Sequence, residues 1–223
     1  LTRLDDSSST TGDKIARTLS DALSNNSTLQ KLTLKRSMVG SKGAAALARM
    51  LKFNQTITDL NLQENEITAD GARAIFKSLK FNRSLRKLNL SNCLISGLDN
   101  ESGFIRTIEN VLTGETLIST LQDNNALIEL RIADTNISDI GWLAEILKTN
   151  ETLRLIDLSY NLNLGRAEEI IKLTDGLIEN KSLTILNLSN ILLSTLGLEA
   201  LLAALENNSS LEKLNLAHNN LKD

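Results

Sequence analysis

Two stretches, Ser84-Leu-Arg-Lys87 and Ser210-Leu-Glu-Lys213, have the spacing of a serine hydroxyl with a lysine base. Gly40-Ser-Lys-Gly43 has the Gly-x-x-Gly spacing of a loop that clamps a nucleic-acid backbone. The single histidine, His218, cannot supply a histidine-based metal cluster, and the single cysteine, Cys93, falls where the pattern below points inward. Both Ser-x-x-Lys copies coincide with Ser-Leu-x-Lys at the same place in a longer repeat, and recurrence marks scaffold rather than an active site. Gly40 and Gly43 fall at a strand-to-helix turn of that repeat. No catalytic residue, cofactor or metal is expected.

The repeat positions these residues. Leu29-Gln-Lys-Leu32-Thr-Leu34, Ile57-Thr-Asp-Leu60-Asn-Leu62 and Leu85-Arg-Lys-Leu88-Asn-Leu90 start 28 residues apart. The pattern returns from Leu127, Leu153, Leu183 and Leu211, giving seven copies. Upstream, Ile15, Leu19, Leu23 and Asn26 match the second half of a unit, with Leu1 and Leu4 where its strand belongs. A period of this length means a solenoid, since no unit can bury its apolar face alone.

Within a unit the period-two pair, such as Leu60 and Leu62, puts both side chains on one face of a short strand. Thr68, Ser96, Ser138 and Ser194 are expected to cap the helices that follow, with Gly43, Gly71, Gly141 and Gly197 nearby. Apolar residues spaced by four form a stripe on each helix: Leu47 and Leu51, Ile75 and Leu79, Leu143 and Leu147, Leu201 and Leu205. An Asn-x-Ser/Thr-Leu/Ile turn closes each helix at Asn54, Asn82, Asn150 and Asn180, where asparagine suits the left-handed backbone of helix ends. Sequons such as Asn26-Ser-Thr28 and Asn136-Ile-Ser138 are by-products of the repeat and say nothing of glycosylation.

A net charge of −3 leaves no overall positive field for counterion release, so nucleic acid is not an expected partner. One cysteine excludes an internal disulfide framework and points to the cytoplasm. No apolar run has the ~18 residues of a membrane span, so no membrane partner is expected. Starting without methionine and stopping after a strand-like segment, the chain reads as a piece of a longer protein. A monomer is expected.

Leu-x-x-Leu-x-Leu-x-x-Asn-x-Ile/Leu, complete at 57–67 and 211–221, resembles the ribonuclease-inhibitor-like leucine-rich repeats over nearly the whole chain. The resemblance implies an α/β leucine-rich-repeat solenoid, a horseshoe with a concave parallel β-sheet and convex α-helices, as one domain over 1–223 with about seven full repeats and a partial N-terminal unit. The absence of proline sets it apart from the shorter, proline-bearing bacterial repeats. The resemblance also implies that Asn65, Asn161 and Asn219 bond to loop backbone inside the solenoid. Ser37, Cys93, Thr135 and Ile191 replace that asparagine elsewhere, and Ile191 should interrupt the ladder because it has no donor.

Departures from the period mark candidate contact elements. Strand starts at Leu85 and Leu127 are 42 apart, which places an insertion at about 98–111, with Phe104, Ile105, Ile108 and Val111 on one face of an added helix. The next unit is short, at 26 residues, and its Trp142 is expected to fill space inside. On the concave face Lys31, Lys35 and Arg36 make the first strand basic, Asp59, Gln63 and Glu64 make the second acidic, and Glu129, Arg131 and Asp134 continue a mixed field. Leu155 and Ile185 should lie outward on adjacent strands, about 4.8 Å apart, with Tyr160 near them as an apolar anchor.

The expected function is protein–protein interaction through the concave sheet and adjacent loops, either as the recognition half of a larger intracellular protein or as a secreted bacterial effector holding a host protein. By resemblance, two alternatives are a GTPase-activating regulator like the Ran GTPase activator and a cytoskeletal binder like the tropomodulin repeat domain.

Overall fold

In the computed structural model of the chain, residues 11–93 and 114–221 are described. Leu1, Leu4, the Ser96 cap and the 98–111 insertion lie outside them. Among the described residues seven helices alternate with seven strands: α1 (Thr11–Leu23), β1 (Lys31–Thr33), α2 (Ser41–Phe53), β2 (Asp59–Asn61), α3 (Ala69–Leu79), β3 (Lys87–Asn89), α4 (Gly114–Gln122), β4 (Glu129–Arg131), α5 (Gly141–Thr149), β5 (Leu155–Asp157), α6 (Ala167–Glu179), β6 (Ile185–Asn187), α7 (Thr195–Leu205) and β7 (Lys213–Asn215).

The strands form one parallel sheet in chain order. Register follows the repeat, with Leu60 opposite Leu32 and Leu88, and Leu88 opposite Leu130 in spite of the longer connection between them. Strands sit about 4.8 Å apart and packed helices about 10 Å apart. That mismatch bends the stack, with the sheet on the inside of the curve.

The period-two alternation is present: Leu60 and Leu62 are fully buried, while Asp59 and Asn61, which alternate with them, are half-buried on the open face. Their counterparts Leu88, Leu130, Ile156 and Leu186 meet Leu47, Leu51, Ile75, Leu79, Leu143 and Leu147 from the helices in one continuous core. Trp142 packs inside the short unit, only 5% exposed, and its Nε1–H donates to Asp139 O at 3.1 Å. Helices α5 and α6 approach closely at Gly176, where a Cβ would lie 2.5 Å from the Ala144 carbonyl oxygen.

The helix caps differ from expectation. Ser194 does cap α7, accepting the Gly197 N–H at 3.1 Å. Thr68 spends its hydroxyl on Ser41 Oγ at 2.6 Å instead. Helix α5 starts two residues beyond Ser138's expected reach, and Asp139 Oδ1 takes the Gly141 N–H at 2.8 Å. Other helix starts are satisfied from neighbouring units. Asp13 of α1, 3% exposed, accepts the N–H groups of Gly40 and Gly43 at 2.8 and 2.7 Å, and Glu169 of α6 accepts that of Ile140 at 2.9 Å.

The closing asparagines are also corrected. Asn54, Asn150 and Asn180 have extended backbone (φ −73°, −80° and −71°), not left-handed. Their side chains serve as rungs. Asn54 Nδ2 donates to Leu23 O and Asn26 O of the unit before, and its Oδ1 accepts the N–H groups of Thr56 and Ile57. Asn82, Asn124, Asn150, Asn180 and Asn208 repeat the arrangement.

On the strand side, Asn65, Asn161 and Asn219 form the ladder implied by the resemblance. Asn65 donates to Leu34 O and Leu62 O, both at 2.7 Å, and accepts from Ser37 N and Val39 N. Thr135 and Cys93 still donate to backbone, whereas Ile191 is fully buried and has no donor. There the link to the preceding unit is made by backbone: Gly165 N–H donates to Ile191 O at 2.9 Å and Ser194 N–H to Gly165 O at 2.8 Å.

Candidate functional site

Outward residues of the seven strands form rows across the concave sheet. The first row reads Lys31, Asp59, Lys87, Glu129, Leu155, Ile185, Lys213, and its charges on β1 to β4 pair with one another: Lys31 Nζ lies 3.3 Å from Asp59, and Lys87 bridges to Glu129. Nearer the strand exits, Lys35 and Arg36 both bind the Glu64 carboxylate, Lys35 at 3.0 Å. Those hydrogen bonds, from Lys35 first and then Arg36, hold the Glu64 carboxyl below its ordinary value against the opposing effect of desolvation. Arg131 lies 3.6 Å from both Glu129 and Asp157. Thus the charged candidates Lys31, Lys35, Arg36, Asp59, Glu64, Glu129 and Arg131 are brought together, but as a lattice of mutual ion pairs. Such partly exposed pairs add ~0–1 kcal/mol each to stability and leave little net field for a partner.

Leu155 and Ile185 are directly opposite one another on β5 and β6, and both are half-buried. They line a depression of about 250 Å³ with Arg131, Asp157, Asn187 and Lys213. Tyr160, half exposed, does not share it. It borders a larger depression of about 580 Å³ with Gln63, Asn89, Asn92, Arg131, Asp134 and Asp157. The three apolar candidates are therefore split between two hollows, joined by Arg131 and Asp157, which line both.

A periodic feature absent from the sequence reading runs along the strand exits. Arg36, Glu64, Asn92, Asp134, Tyr160, Asn190 and His218 hold the same place in successive units, all with φ between 51° and 61°. This left-handed conformation costs ~1 kcal/mol or more for a side chain of Tyr160's size. It is held because the backbone N–H bonds to the next unit, Arg36 to Gln63 O, Glu64 to Ser91 O and Tyr160 to Ser189 O, at 2.9–3.1 Å. Four of the candidate residues, Arg36, Glu64, Asp134 and Tyr160, occupy this rim. The only sequence signal for it is their constant place immediately before the ladder residue.

The fragments with chemical spacing have structural duties. Ser84 Oγ donates to Ile57 O at 3.0 Å and Ser210 Oγ to Asn180 O at 3.2 Å, each in the preceding unit. Lys87 is engaged by Glu129. Burial pushes the Cys93 thiol up to about 11, only partly offset by the Asn65 and Ile67 backbone groups. Among the described residues no His, Cys, Asp and Glu group could hold a metal ion, and no helix is long and apolar enough to cross a membrane.

Residues 53–76, 81–97 and 207–223 match the leucine-rich repeat family model. No curated protein matches the chain. Among solved structures it is similar to leiomodin-1 actin-binding site 2, at 26% identity over 77% of each chain with a TM-score of 0.43. It is also similar to a tropomodulin C-terminal domain from Caenorhabditis elegans, at 15% identity over 75% of this chain and 92% of that one with a TM-score of 0.52. The second likeness is one of fold. Repeats that match the family model, set in one open sheet of seven parallel strands alternating with helices, make this chain a leucine-rich-repeat solenoid.

Proposed function

We propose that this solenoid, of the ribonuclease-inhibitor-like type, is a protein-binding module whose partner docks on the concave face around β5 and β6. The observation that carries the reading is the Leu155–Ile185 pair: two apolar side chains in register on the open face, where β1 to β4 present charges that neutralise one another. An apolar centre ringed by Arg131, Asp157 and Lys213 has the build of an interface hot spot with a polar rim. Tyr160 and Asp134 extend the contact along the strand exits. A lone buried thiol supports a reducing, cytoplasmic setting, which would be the host cytoplasm for a secreted effector.

A GTPase-activating role that works through an arginine finger needs an arginine free to reach a phosphate. The concave arginines Arg36 and Arg131 are engaged, by Glu64 and by Glu129 with Asp157, which favours binding over activation. The test is affinity capture with the wild-type chain and with a Leu155→Asp, Ile185→Asp variant of unchanged thermal stability. A partner held by the first and lost from the second supports the reading, and equal retention by both overturns it.

A further inference from the structure

The net charge of −3 conceals a separation along the solenoid. Residues 11–93 carry fourteen basic and six acidic side chains, a net of +8, while residues 114–221 carry seven and fifteen, a net of −8. In the basic half the concave cations are tied up in ion pairs. On the helix side Arg73 pairs with Asp70, but among the described residues none of Arg49, Lys52, Lys77 and Lys80 forms an ion pair, and all four are exposed.

Phe53 and Phe81 lie among these cations, in the same place of adjacent units at the C-terminal ends of α2 and α3. They are 73% and 57% exposed, against buried positions for nearly every other large apolar residue of these helices. Lys52 Nζ stands 5.6 Å from the centre of the Phe81 ring. Helix spacing sets the two rings about 10 Å apart. Lysines at helix C-termini answer the helix dipole, but that accounts for the charges and not for two rings held out in water. Asp21 and Asp123 bound the patch one unit to either side.

We propose that this patch docks the chain on an anionic membrane surface. The two ingredients of reversible interfacial binding, aromatic side chains and clustered basic residues, are present on rigid helices. The rings project from the edge formed by the helix C-termini and line none of the cavities described above. A bilayer interface yields around such protruding rings, and its anionic headgroups match the unpaired positive charge around them. The lack of a spanning apolar run, the ground for expecting no membrane partner, bears on insertion and not on a local patch of this kind. The acidic half of the solenoid orients the molecule, lifting β5 and β6 away from the lipid so that the concave face stays open.

The test is co-sedimentation of the full chain with vesicles of phosphatidylcholine alone or with about 30 mol per cent phosphatidylserine. Binding is expected to the anionic vesicles only and to fall with added salt. Each basic residue near such a surface is worth roughly a fivefold gain in partitioning, so Lys52→Gln with Lys80→Gln should weaken binding about twenty-five-fold. Phe53→Ser with Phe81→Ser should weaken it about tenfold or more. All four positions are exposed, so wild-type melting is expected and is checked by circular dichroism. The concave Leu155→Asp, Ile185→Asp variant should bind vesicles like the wild type, which separates this surface from the partner site. Failure to bind anionic vesicles overturns the proposal, as does binding indifferent to both pairs of changes. Retention of soluble polyglutamate by the patch without vesicle binding overturns it in favour of an acidic polypeptide.

Discussion

Glu169, buried in α6, accepts the backbone N–H of Ile140 at 2.9 Å across the boundary between two units, while its other oxygen holds Lys172 at 2.9 Å. The start of α5 is thus capped by an acid from the following unit. Glu169→Ala removes the cap and strands a buried donor, and should cost about 2 kcal/mol in urea unfolding. Glu169→Gln keeps an acceptor and should cost clearly less. Equal losses would mean that the carboxylate acts through Lys172 rather than through the amide.

Acid should weaken the fold through two carboxylates. Burial acts to raise Asp139, but the Gly141 N–H and the Lys172 ammonium outweigh it and hold the group below its ordinary 3.8. Glu64 is held below its ordinary 4.5 by Lys35 and Arg36. Both groups have lower values folded than unfolded, so their contribution is complete above the ordinary values. It fades as pH falls below them and is lost once pH passes the lowered folded-state values. Unfolding free energy measured against pH should decline in that window, and less steeply for an Asp139→Asn, Glu64→Gln variant.

Asn150→Gly separates two roles for the closing asparagine. If its purpose were a left-handed turn, glycine would serve as well or better. Because Asn150 is extended and its side chain bonds to Leu121 O, Thr152 N and Leu153 N, the glycine variant should lose about 3 kcal/mol by thermal or urea denaturation. The same change at Asn208, in a less buried unit, should cost less.

Tyr160→Gly should move stability and binding in opposite directions. Glycine relieves the φ of 61° and should leave the fold unchanged or up to about 1 kcal/mol more stable. Removal of the exposed ring should weaken the partner captured by the concave face. Equal affinity of the wild type and the variant would remove Tyr160 from the interface.

Cys93 should resist thiol reagents. With its pKa pushed up to about 11, only about one part in a thousand is thiolate at pH 8, and the sulfur is buried. Labelling should follow the unfolding curve in denaturant; rapid labelling of the native chain would place the sulfur at the surface.

The parts of this structure that could be read from sequence are those whose signal lies within a few residues. Leu60 and Leu62 declare a strand face by alternation, and Ile191 declares a gap in the ladder because its side chain has no donor. The caps from Asp13 and Glu169 could not be read, because they join residues 27 to 30 positions apart in different units. Asn54 was assigned a local backbone role when its function is to bond across units. Leu155 and Ile185 were placed side by side correctly, since strand register follows the repeat. Tyr160 lies in a separate hollow, at a left-handed turn of its own backbone that its residue type does not signal. The Phe53 and Phe81 patch was hidden by whole-chain totals, in which the two charged halves cancel.

The asparagine rungs also have a direction. Asn54, Asn82, Asn124, Asn150, Asn180 and Asn208 each donate to carbonyls of the unit before, never to the unit after. During synthesis the N-terminal unit emerges first, so every arriving asparagine meets acceptors already in place. Deleting the last unit frees the rung carbonyls and also strands backbone donors of the strand ladder, among them Leu188 N–H and Asn190 N–H, which bond to Asn215 O and Ala217 O. Removing the first leaves the Asn54 amide of its successor without Leu23 O and Asn26 O, so the rungs, unlike the strand ladder, are completed only from behind as the chain grows.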